Sequence, residues 1–163
     1  MAEACGSAPP EDPAGRLRAL VTRPPSDTTR FEAAARASRC SGGDSTPARG
    51  WGIFLRGSRA GNGVAVWLRS PDTVANGAWP MLQRGDTVSP RGATVAVRYM
   101  VREMPHGFAL DSGAVDVRAD GRGLTVTARG VGLESAIAGR AFLQAWFEAV
   151  PLGADTVPCR PKP

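Results

Sequence analysis

A chain of 163 residues fits one domain and is long enough to bury a full hydrophobic core. Its 42% hydrophobic and 21% charged residues exclude wholesale disorder, and no run of about 18 apolar residues offers a membrane-spanning helix. The net charge of +5 invites an anionic-polymer or nucleic-acid reading. However, the basic residues are nearly all arginine, scattered at Arg39, Arg49, Arg56, Arg59, Arg69, Arg98, Arg102, Arg118 and Arg129, without the clustered aromatics of a nucleic-acid face.

Residues 1–13, rich in Ala, Gly and Pro, read as a flexible tether, with a single domain over 14–163. Residues 14–22 predict a short helix stopped by Pro24-Pro25, and Phe31 to Ala37, with three consecutive alanines, predicts a second, the alternative being a strand alternating Phe31, Ala33, Ala35 and Ala37. From Trp51 the pattern changes to period two. Trp51 to Gly57 and Gly63 to Ser70 predict a hairpin turning at Asn62-Gly63, since both residue types tolerate positive φ. Ala78 to Leu82, containing Pro80, predicts an edge strand.

Ala93 to Arg102 is the clearest strand, with Val95, Val97, Tyr99 and Val101 sharing one face. Gly113 to Ala119 and Leu124 to Arg129 predict a second hairpin. Arg140 to Val150 has a helical composition but reads as a closing strand. The whole predicts a mainly β fold: an antiparallel β-sandwich or flattened barrel of about seven strands, preceded by one or two short N-terminal helices.

Three cysteines bear on where the protein works. Cys5 is followed by Gly6-Ser7 and a Pro-rich stretch, the context of a lipidated N-terminal cysteine, although Ala2 stands where a lipobox usually has a leucine-like residue. Cys40 precedes the first clear strand and Cys159 sits in the C-terminal tail, so a bridge between them would pin both ends of the domain. Through Cys5-Gly6-Ser7 and the strand region Trp51 to Val150, the chain resembles the uncharacterised small lipoproteins of bacteria that carry one secreted β-sandwich behind a tether. The resemblance implies export and envelope attachment, periplasmic or at the surface, and no reaction.

Patterns that carry chemistry are sparse, and they point to no catalytic residue, metal or cofactor. His106 is the single histidine, which excludes a multi-histidine metal site. Asp111 and Ser112 lie near it in sequence, but no nucleophile elbow surrounds a serine. Glu103, Asp111, Asp116 and Glu134 supply carboxylates without a diagnostic spacing. Arg84-Gly85-Asp86 reads as a turn, and Gly61-Asn62-Gly63 lacks the lysine and following helix of a phosphate loop. Among four tryptophans, Trp67 and Trp79, with Arg56 and Arg69, are candidates for a stacking platform, weighed against burial in the core.

The expected function is a non-enzymatic, envelope-anchored binding or assembly module that contacts a polysaccharide, peptide or envelope protein. The alternatives are a small hydrolase centred on His106 and a basic binder of anionic polymers or nucleic acid.

Overall fold

In a computed structural model, the structure describes residues 14–41, 51–71, 73–83, 85–86, 88–137 and 139–158. Cys5, Cys159 and the tether expected over residues 1–13 lie outside the described residues. Eleven strands follow in chain order: β1 (Gly15–Arg23), β2 (Asp27–Ser41), β3 (Trp51–Arg59), β4 (Asn62–Arg69), β5 (Gly77–Trp79), β6 (Gly92–Val101), β7 (Met104–Ala109), β8 (Ser112–Asp120), β9 (Gly123–Glu134), β10 (Gly139–Val150) and β11 (Leu152–Pro158).

The strands hydrogen-bond in the order β5-β8-β9-β10-β1-β2-β3-β4-β6-β7, all antiparallel, and β11 adds to β2 in parallel. The two ends of this ladder, β5 and β7, are not paired with each other. The sheet nevertheless rolls, because β7 returns to pack on β9. Leu110 N donates to Val95 O at 2.9 Å and Asp111 N to Val131 O at 3.0 Å where β7 passes into β8.

Alternation explains which faces turn inward. Leu17, Ala19 and Val21 of β1, Ala33, Ala35 and Ala37 of β2, Val64, Val66 and Leu68 of β4, and Val95, Val97 and Tyr99 of β6 all enter one apolar cluster. Phe147 and Val150 of β10 both reach that cluster because a bulge shifts the register between them, at Ala149 with φ 48°. Each fully buried Val, Leu or Phe contributes on the order of 2 kcal/mol of burial free energy.

Three expectations need correction. Among the described residues there is no α-helix, only a 3-10 turn at Ser135–Ile137, so the two predicted N-terminal helices are strands β1 and β2. Alanine's helix preference is a weak prior, and here Ala33, Ala35 and Ala37 alternate as small inward residues against β1 and β3. Among the described residues the strands number eleven rather than about seven, and they form one sheet that is not closed, where an antiparallel β-sandwich or flattened barrel was expected. The first hairpin turns at Ala60-Gly61, with φ 51° and 80°, two residues before the expected turn. Asn62 instead braces the turn from its side, accepting a hydrogen bond from Met100 N at 2.9 Å.

The seam between β7 and β9 depends on one glycine. A Cβ at Gly132 would lie 2.0 Å from the Ala109 carbonyl oxygen and 2.7 Å from the Phe108 ring. Gly132→Ala is therefore expected to lower the unfolding free energy by about 1–3 kcal/mol in urea denaturation. An unchanged midpoint and slope would contradict this close approach.

Candidate functional site

The inward face of β9 runs Leu124, Val126, Ala128, Gly130, Gly132 and then Glu134, which is fully buried. A lone carboxylate there would carry a heavy desolvation cost, so its partners decide whether the site is tolerable. Tyr99 of β6 donates its hydroxyl proton to Glu134 Oε2. His106 of β7 places Nδ1 2.5 Å from Glu134 Oε1. The Tyr99 and His106 rings stack with centroids 5.6 Å apart, and Phe108 meets the Tyr99 ring edge-on at 6.3 Å.

Arg23, at the end of β1, reaches the Tyr99 hydroxyl and pairs with Asp27 at 2.9 Å. The chain's single tyrosine and single histidine thus converge on one buried carboxylate. Burial holds the Tyr99 phenol well above its ordinary value, reinforced by the bond to Glu134 and by that carboxylate's charge.

This cluster is a clasp across the unclosed seam: Glu134 sits on one side, Tyr99 and His106 on the other. With Nδ1 engaged, His106 has only Nε2 left for a reacting proton. Nor do the described residues include a group of three His, Cys, Asp or Glu able to hold a metal ion.

The expected platform residues sit elsewhere. Trp79 is buried, with its Nε1 donating to Ala75 O at 2.9 Å and Arg91 lying over its ring at 4.4 Å. Arg69 is 4% exposed and donates to Ser89 O and Asp86 O, both at 2.9 Å, tying down the connection between β4 and β6. Trp67 is half-buried beside it, with the Arg69 guanidinium 4.8 Å from its ring. Arg56 is exposed on β3, opposite Arg36 and Ala65. Trp67 and Arg69 come together, but as packing beneath a loop, and Trp79 lies apart on β5.

The arginines of β1 do not form an unbroken basic stripe, since Arg16 pairs with Glu32 at 2.6 Å and Arg18 with Glu148.

What the sequence reading missed is on the outside of the clasp end. Five large hydrophobic residues are exposed among those described, and four lie on the elements around the clasp: Met104 (64%), Leu133 (61%), Phe142 (48%) and Ile137 (37%). They come from β7, β9, β10 and the 3-10 turn. Register places Phe142 opposite Val131 and Leu133 opposite Arg140, so the β9 and β10 members are neighbours.

Two shallow depressions flank them. One of about 420 Å³ is bordered by Ala114, Arg129, Val131 and Phe142, and one of about 260 Å³ by Arg23, Asp27, Ile137 and Arg140. Arg140 also pairs with Asp111, and that hydrogen bond holds the Asp111 carboxyl below its usual value. Comparison with protein-family models, curated proteins and solved structures finds no match.

Tyr99 gives the clasp a titration signature. A phenol whose folded value is raised contributes stability that is complete below the unfolded value near 10 and is lost as pH rises above it. Ultraviolet titration of this single tyrosine is expected to show no ionisation at pH 10–11 until the protein unfolds, and Tyr99→Phe is expected to cost about 1–3 kcal/mol by stranding a Glu134 oxygen. Ionisation of the native phenol near pH 10 would contradict the arrangement.

Proposed function

We propose that the chain is a non-enzymatic binding or assembly module of the bacterial envelope, and that the apolar corner is its contact surface. The observation that carries this reading is the gathering of Met104, Leu133, Ile137 and Phe142 at one corner, rimmed by ion pairs, on a sheet whose inner face is filled with side chains. Single exposed hydrophobic residues are ordinary, whereas a rimmed cluster marks a place where protein surfaces meet. The corner favours a protein or peptide over a polysaccharide. A sugar platform needs an open ring face, and half-buried Trp146 carries Arg18 over its ring at 5.8 Å.

Attachment through a lipidated Cys5 and a Cys40–Cys159 bridge complete the reading. Cys40 is fully buried and is not a free thiol. β11 runs beside β2 with Val157 opposite Cys40, two residues before Cys159. A bridge there would close a long loop and contribute about 4–5 kcal/mol through chain entropy. β1 begins at Gly15, packed against Val150, and ends at Arg23 beside the clasp, so a tether entering at Gly15 leaves the corner at the far end.

The His106–Glu134 contact favours one second reading, a small hydrolase centred on His106. Ester hydrolysis above background that disappears in His106→Gln would support it, and equal rates for the two proteins would remove it.

A photo-crosslinking residue at position 133, in protein expressed with its native upstream region, is expected to give discrete protein adducts. The same residue at exposed position 118 of β8 is expected to give none. Intact mass of the same material is expected to show acylation and the loss of two hydrogens for one disulfide. Absence of adducts at 133, or equal adducts at both positions, would contradict the contact surface.

A further inference from the structure

We infer that the partner at the apolar corner is a second copy of this chain, packed about a two-fold axis. The inference rests on the reading of the corner as a contact surface and names its occupant. Charge is the first argument. The chain carries +5 overall, so an average patch of its surface repels a copy of itself. The border of the corner instead carries two matched pairs, Arg140 with Asp111 and Arg23 with Asp27, beside one exposed cation, Arg129.

The side chains of Arg140, Asp111 and Asp27 are 51%, 40% and 69% exposed, so these charges are within reach of a neighbour. A two-fold interface requires a surface complementary to itself, with residue i meeting j and j meeting i. Balanced pairs meet that condition. An anionic lipid surface would bring its headgroups against Asp27 and Asp111, and a strongly acidic or basic partner would find half of the border repulsive.

Shape is the second argument. Phe142 stands half-exposed at the edge of the depression of about 420 Å³ that is bordered by Ala114, Arg129 and Val131. A protruding ring and a hollow therefore adjoin on one face. Under a two-fold operation the Phe142 of each copy meets the hollow of the other, and Leu133 and Ile137 enclose the contact.

Placement is the third argument. Phe142 and Leu133 lie on the outer wall of the rolled sheet and not on the strand ends alone. A two-fold axis along the strands then leaves both Gly15 ends on the same side, so two tethers can enter one membrane.

Sedimentation velocity of the disulfide-intact, non-acylated chain tests this. At about 100 µM, far above a micromolar dissociation constant, the species is expected at twice the 17.0 kDa chain mass. Leu133→Arg with Phe142→Glu is expected to give the single-chain mass with an unchanged thermal midpoint. Arg140→Asp is expected to weaken the dimer at least tenfold, and Asp111→Arg added to it is expected to restore association.

A wild-type chain that sediments at the single-chain mass overturns the inference, as does a dimer that survives Leu133→Arg with Phe142→Glu. If that monomer still cross-links from position 133 to a protein of different mass, only the second copy is overturned and the contact surface stands. If neither dimer nor cross-link is found, both fail.

Discussion

A sheet can roll on itself without joining its first and last strands by backbone hydrogen bonds, but the seam then needs another tie. In this protein the tie is Glu134. Its two oxygens face Tyr99 on β6 and His106 on β7, so one side chain spans what the hydrogen-bond ladder leaves open. Because the carboxyl group is fully buried, its bonds form in a medium that screens them little, and the loss of one partner strands a polar oxygen at a cost of about 1–3 kcal/mol. The contact is therefore held strongly in one geometry, although an apolar core of the same volume would be no less stable.

The apolar corner inherits this dependence. Met104 belongs to β7 and Leu133 to β9, on opposite sides of the seam, with Ile137 and Phe142 continuing the surface onto β10. Glu134 adjoins Leu133 in sequence and points inward where Leu133 points outward, so the buried clasp and the exposed corner are two faces of one strand end. The β9–β10 pairing by itself holds Leu133 and Phe142 together, and the seam decides where Met104 of β7 lies relative to them.

Much of the fold was legible as period two. Trp51 to Gly57, Ala93 to Arg102, Gly113 to Ala119 and Arg140 to Val150 were read as strands, and the inward face of Ala93 to Arg102 was read correctly because its alternation needs no distant information. The alanines at 33, 35 and 37 misled because local preference and tertiary pairing disagree there, and pairing with β1 and β3 decides the outcome. Glu134 was within reach: extending the alternation of β9 past Arg129 carries the inward face through Gly130 and Gly132 to Glu134. Its partners were not, because they lie 28 and 35 residues away and meet it only once the sheet rolls. Trp79 and Arg69 misled for the same reason, since the connection between β4 and β6 folds back over the sheet and buries them. Alternation puts Phe142 and Leu133 outside, but cannot say whether an outer face is covered.

The central claim is that Glu134 holds β7 to β9 and thereby sets where Met104 lies in the corner. Hydrogen exchange of backbone amides in Glu134→Leu, compared with the unaltered chain, tests it most directly. The expected result is a selective loss of protection in Met104–Ala109 and at the end of β9, with β3 and β4 retaining theirs, because only the seam has lost its tie. Unchanged protection across β7, or a uniform loss over every strand, would contradict the claim.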